Sequence, residues 1–166
     1  AYRMPNGHPD IPIEDALAAI RMVREKARLW HVDPHRVGIM GFSAGGHLAS
    51  TVSTHFENDS QRPDFSILIY PVITMDPQWT HGGSRQNLLG ANPTESATER
   101  YSTEKQVTNA TPPTFIAVSS EDKSVSPINS VLYYEALLKH RIPAELHIYP
   151  DGPHGFGFKT DFPYHD

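Results

Sequence analysis

Residues 36–52 read Arg36-Val37-Gly38-Ile39-Met40-Gly41-Phe42-Ser43-Ala44-Gly45-Gly46-His47-Leu48-Ala49-Ser50-Thr51-Val52. A short apolar run leads into small residues and then into a helical pattern, which spells strand, tight turn, helix. Within it, Gly41-Phe42-Ser43-Ala44-Gly45 matches G-x-S-x-G. In that elbow, glycines let a strand bend sharply into a helix and hold a serine in exposed, strained backbone. Spelling alone is weak, because with Gly and Ser each about 7% of residues a random chain of this length contains the pattern roughly once in twenty. A glycine-rich turn packed for its own sake is the competing reading. The context favours a nucleophile, since the motif falls between a strand and a helix, and the helix start sets the Ala44 amide where an oxyanion needs a donor.

Outward from this stretch, helices and strands alternate. Ile13, Ala16, Leu17, Ile20, Val23, Ala27 and Trp30 recur at steps of three and four, which predicts an amphipathic helix from Ile13 to about His31. Pro12 suits its first turn, Glu14 and Asp15 suit the positive end of its dipole, and Asp33-Pro34 is expected to stop it. Apolar runs at Arg36 to Phe42, Phe65 to Tyr70, Thr114 to Val118 and Ala144 to Tyr149 read as strands, with a helix over Pro127 to His140. The expected fold class is α/β, a mostly parallel sheet with flanking helices. Residues 74–111 are polar, with a short helical candidate at Arg85 to Leu89, and read as a loop or cap excursion over the sheet. Without repeats or a linker, residues 1–166 count as one domain.

Composition narrows the function. The chain has 166 residues, 38% hydrophobic and 20% charged, with a net charge of -5. That suits a domain with a real core and offers no basic surface to a nucleic acid. The longest apolar runs fall far short of the roughly 20 residues of a membrane span, and the mean hydropathy is -0.45. There are no cysteines, so disulfide and thiolate chemistry are excluded while the compartment stays open. Ala1-Tyr2-Arg3-Met4-Pro5 does not read as the apolar run behind a basic start that marks a signal peptide.

A serine needs a base, and the base needs a carboxylate to hold its tautomer. Asp122 follows the strand that ends near Val118, and His154 follows the one that ends near Tyr149. Both therefore lie just past C-terminal strand ends, where open α/β sheets build their sites, in the order Ser, Asp, His. Asp122 also suits an ordinary turn residue, with Glu121 as a rival acid. His154 lies among Gly152, Pro153, Gly155 and Gly157, which imply a demanding backbone path. No H-E-x-x-H pair occurs, so no metal is expected, and His47 reads as a packing residue.

The segments YRMPNGHPDIPIED (2–15), GIMGFSAGGHLAS (38–50), PPTFIAVSSEDKSVSPINS (112–130) and ELHIYPDGPHGFGF (145–158) resemble the α/β-hydrolase carboxylesterases, and especially the acetyl xylan esterase and carbohydrate esterase branch. The loop SRQNLLG (84–90) looks like the same branch. The resemblance implies Ser43 as nucleophile, Asp122 as acid through its D-x-x-V spacing to Val125, and His154 as base through its H-G-F context. It implies cleavage of short-chain esters, acetyl foremost, on carbohydrate through an acyl-enzyme, with no cofactor. Two departures stand beside it. No H-G-G-G loop precedes Ile13, so Ala44 is the oxyanion donor in this sequence, and no final helix follows His154. The expectation is a fragment lacking the usual N-terminal strands and final helix, or a chain whose apolar edge at Arg36 to Met40 pairs with a second copy into a homo-oligomer. Prolyl-oligopeptidase-type peptidases share the G-x-S-x-G-G elbow, so peptide hydrolysis is one alternative. A non-catalytic assembly module is the other.

Overall fold

The computed structural model describes residues 2–5, 7–160 and 162–164. Ala1 and the last two residues of the 162–166 tail, which the sequence reading leaves without a helix, lie outside them. Helix α1 spans Asp10–Trp30, strand β1 Ile39–Phe42, helix α2 Ala44–Val52 and strand β2 Ser66–Ile69. Helices α3 (Gly82–Leu89) and α4 (Glu95–Tyr101) and a 3-10 turn at Thr103–Lys105 follow, then β3 (Thr114–Ser119), α5 (Ile128–Lys139) and β4 (Ala144–Tyr149). The strands form one parallel sheet in the order β1-β2-β3-β4. The α/β class expected from the alternating pattern is the one observed.

Side-chain alternation divides the core between the two faces of this sheet. Leu68 and Ile116 point to the helices, where they pack with Ala49, Tyr133 and Leu137. Ile69, Ala117, Phe156 and Phe162 form a separate cluster on the other face, with Ile67 and Phe115 packed against it. Leu68, Ile116 and Leu137 are fully buried, and burying each contributes about 1.5–3 kcal/mol.

Local ends differ from the sequence reading in informative ways. Helix α1 begins at Asp10 rather than Ile13, so Pro12 lies third in the helix, still within the turn whose amides lack acceptors. It ends at Trp30 because His31 turns left-handed, at φ 55°, and its N–H returns to the Ala27 carbonyl, so Pro34 is not the stop. Residues 36–38 precede the regular ladder. There Asp64 Oδ2 accepts from the Val37 N–H at 2.8 Å and from Arg24 at 2.8 Å, guiding the chain into β1. Helix α3 starts earlier than expected, at Gly82, capped by His81. Helix α4 was not legible, because only Tyr101 of its seven residues is buried and no apolar period marks it. Tyr101 packs into the cluster of Ile13, Leu17 and Ile20 from α1.

Candidate active site

Ser43 stands at the end of β1 as the residue before α2, with φ 52° and ψ -121°. That conformation costs a non-glycine residue of order 1–3 kcal/mol, so the surroundings must hold it. The Ser43 N–H donates to the Ile69 carbonyl at 3.0 Å, while its carbonyl accepts from the N–H of Val72 at 3.1 Å and of His47 at 3.2 Å. Gly41 permits the turn, since a Cβ there would lie 2.1 Å from the Gly45 carbonyl oxygen. Gly45, paired with Gly41 in the sequence reading, has open space instead, and the second tight contact is at Gly46, whose Cβ would lie 2.7 Å from Pro71 Cβ. The helix after the elbow packs against the chain leaving β2, a contact that the motif's spelling does not encode. Ala44 is the first residue of α2, so its N–H has no intrahelical acceptor and is free to meet an anion.

His154 joins the other two candidates. Its Nε2 lies 2.8 Å from Ser43 Oγ and its Nδ1 lies 2.6 Å from Asp122 Oδ2. A carboxylate can only accept, so Nδ1 carries the hydrogen and donates it, which leaves Nε2 bare to accept the Ser43 hydroxyl proton. The Asp122 side chain is 1% exposed, and its charge is met by donors. Oδ1 accepts from the N–H groups of Ser124 and Val125, both at 2.9 Å. That pair of bonds is the physical content of the D-x-x-V spacing. Glu121 is exposed and takes no part in this chain of bonds.

One residue of the site, Tyr70, escaped the sequence reading. The Tyr70 ring meets the His154 imidazole edge-on, with centroids 4.7 Å apart, and Tyr70 has φ 38°, the second strained non-glycine residue beside the elbow. Burial, before any other cause, pushes its hydroxyl above the ordinary tyrosine value. The glycines around His154 do require unusual backbone: Gly152, Gly155 and Gly157 have φ of 121°, 81° and 43°. A Cβ on Gly152 would lie 2.4 Å from the Phe162 ring, and Phe162 in turn stacks on Phe156 at 4.3 Å.

Two hollows border neighbours of Ser43, one at Ala44 and one at His154. An apolar cavity of about 120 Å³ lies beside Ala44, lined by Pro9, Ile13, Leu48, Met75 and Leu88 among others. Beside His154 runs an open groove that carries Glu121, Lys123, Ser124 and Asp151 on its walls together with Pro153 and Pro163. His47 lies under the apolar cavity, buried, with Nε2 2.8 Å from the Tyr101 carbonyl. Burial is the largest influence on it and lowers its pKa to about 4, so it is neutral and donates to that carbonyl. Among the described residues, no three His, Asp or Glu side chains gather as metal ligands, and no helix is long and apolar enough to cross a membrane.

Residues 1–158 match the model of a family with the alpha/beta hydrolase fold. The chain belongs to that family. This α/β-hydrolase is 44% identical over 169 residues to an acetylxylan esterase of Xylanibacter ruminicola, an alignment that covers 99% of the chain and 35% of that protein. It is 40% identical over 160 residues to endo-1,4-beta-xylanase B of Butyrivibrio fibrisolvens, covering 90% of the chain and 25% of that protein. Among solved structures, it superposes with a TM-score of 0.92 and 46% identity on an acetyl ester-xyloside bifunctional hydrolase from Caldicellulosiruptor lactoaceticus, covering 98% of this chain and 64% of that one. The chain thus spans about a third or less of the two curated relatives, and just under two thirds of the solved neighbour.

Proposed function

We propose that this chain carries the nucleophile, base and acid of a serine esterase that removes short acyl groups, acetyl foremost, from carbohydrate. The observation that carries the reading is the continuous run of hydrogen bonds from Ser43 Oγ through His154 to Asp122, at 2.8 and 2.6 Å. The relatives' names, an acetylxylan esterase and an acetyl ester-xyloside hydrolase, support acetyl and carbohydrate as the two halves of the substrate.

In the first half-reaction, Ser43 Oγ attacks the ester carbonyl carbon as its proton passes to His154 Nε2. The carbonyl π electrons move onto oxygen, and the Ala44 N–H donates to that oxyanion. Asp122 stabilises the imidazolium without taking its proton. Collapse of the intermediate breaks the bond to the alcohol oxygen, which takes the proton from Nε2, and leaves acyl-Ser43. Water then attacks the acyl carbon, giving its proton to Nε2. Collapse returns that proton to Ser43 Oγ and frees the carboxylic acid.

Intact mass after treatment with a fluorophosphonate tests the reading without a natural substrate. The expected result is one covalent adduct on the folded chain, absent from Ser43→Ala. A folded wild type that gains no mass overturns it. The acetyl preference is tested separately with p-nitrophenyl acetate, longer acyl esters and an X-Pro amide, where faster amide than acetate cleavage overturns the esterase assignment.

A further inference from the structure

Asn129 is fully buried at the start of α5 and uses its whole amide. Oδ1 accepts from the N–H of Ile73 at 2.9 Å and of Thr74 at 3.1 Å, and Nδ2 donates to the carbonyls of Trp79 at 2.9 Å and Ser126 at 3.0 Å. Turning the amide over would set donor against donor or acceptor against acceptor at all four contacts, so chemistry decides its orientation.

These four partners belong to two segments with different work. Ile73, Thr74 and Trp79 lie on the strap that leaves β2. The same strap lends the Val72 N–H to the Ser43 carbonyl at 3.1 Å, sets Pro71 against Gly46 and lays Tyr70 against His154. Ser126 closes the loop in which the Ser124 and Val125 amides hold Asp122 Oδ1. One side chain therefore ties the brace of the nucleophile turn to the loop that carries the acid.

We infer that Asn129 is a positioning residue that fixes the Ser43 turn and the Asp122 loop relative to each other, so that one imidazole can bond both. It touches no reacting atom. The inference rests on the proposed reading of Ser43, His154 and Asp122. Its physical basis is the short reach of a hydrogen bond. A misplacement of about 1 Å between catalytic groups costs on the order of 10²-fold in rate, and the bonds from the Ile73 and Thr74 amides are buried, so losing the Asn129 carboxamide leaves those two donors unsatisfied.

The test compares Asn129→Asp, Asn129→Leu and Ile20→Ala. Asn129→Asp keeps the shape and the Oδ1 contacts but replaces both donated hydrogens with lone pairs, which cuts the tie to Trp79 and Ser126. Asn129→Leu removes all four bonds. Ile20→Ala opens a cavity under α1, in the cluster that also holds Val72 and Val125, and removes no hydrogen bond from either segment, so it reports loss of packing with the tie intact. At a temperature where all are folded by circular dichroism, the rate of fluorophosphonate capture and kcat for p-nitrophenyl acetate should fall about 10- to 10²-fold in both Asn129 variants, with KM within about threefold. Ile20→Ala should stay within about twofold despite its lower Tm. A folded Asn129→Leu captured within about twofold of wild type overturns the inference and leaves the esterase reading intact. A folded wild type that is never captured overturns both.

If neither Asn129 variant folds, hydrogen exchange in the wild type decides. A shared tie predicts that the Ile73, Thr74 and Val125 amides open together with common protection. A strap amide exchanging more than about tenfold faster than Val125 overturns the inference.

Discussion

The Tyr70 ring stands edge-on to the His154 imidazole at 4.7 Å and packs edge-on against Phe156 at 4.8 Å, so one buried aromatic supports the proposed base and the loop behind it. Tyr70→Ala should cost about 3–5 kcal/mol in urea unfolding and lower kcat for p-nitrophenyl acetate by about 10-fold or more as the imidazole gains freedom. Tyr70→Phe keeps the ring contacts and should stay within about threefold. Equal kcat in both variants would show that the ring does not support His154.

Asp122 and Glu121 are neighbours in sequence and opposites in the fold. Asp122→Asn should lower kcat about 10⁴-fold, because an amide that donates to Nδ1 imposes the wrong tautomer. Glu121→Gln should stay within about twofold, as an exposed side chain outside the relay. Steady-state kinetics on the two folded variants separates them, and a larger loss in Glu121→Gln would reverse the assignment of the acid.

The elbow glycines should answer differently to alanine. Gly41→Ala drives a Cβ to 2.1 Å from the Gly45 carbonyl oxygen and should abolish folding or cut Tm sharply. Gly45→Ala projects into open space from a helix, where alanine is favoured over glycine by about 0.5–1 kcal/mol, so Tm should rise by a few degrees. Scanning calorimetry checks both, and a Gly45→Ala that melts earlier than wild type contradicts the geometry.

Buried His47 ties stability to pH. Its pKa falls from 6.5 in the unfolded chain to about 4 in the fold, so the unfolded state binds the proton first as pH drops. The contribution is fully present above pH 6.5 and is lost between there and about pH 4, amounting to about 3 kcal/mol. Asp15 acts in a lower window. The hydrogen bond from Arg3, foremost, holds its carboxyl at about 2, so its contribution is lost only as pH falls below its ordinary 3.8. Urea unfolding at pH 7.5 and 4.5 should show the His47 loss in wild type and a much smaller one in His47→Gln, which keeps a donor for the Tyr101 carbonyl. An unchanged pH slope in His47→Gln would remove the assignment.

Much of this protein was legible one residue at a time, because it depends on neighbours along the chain. Small residues after an apolar run spell the Ser43 elbow, and prolines and polar turns bound the runs that become β2, β3 and β4. The D-x-x-V spacing from Asp122 to Val125 pointed to the acid only through its resemblance to the family's motif. What tertiary structure alone decided involves residues far apart in sequence. Asp122 rather than Glu121 meets His154 because the parallel pairing of β3 and β4 sets the loops after them side by side, with Asp122 Oδ2 2.6 Å from Nδ1. Helix α4 exists because Tyr101 is buried against α1, which no local period announces. Gly46, not Gly45, is the crowded glycine because Pro71 returns from β2 to lie on it. Hydrogen bonds and close contacts act over about 3 Å. That Ser43 and Asp122 both reach the His154 imidazole therefore depends on the sheet bringing three strand ends together.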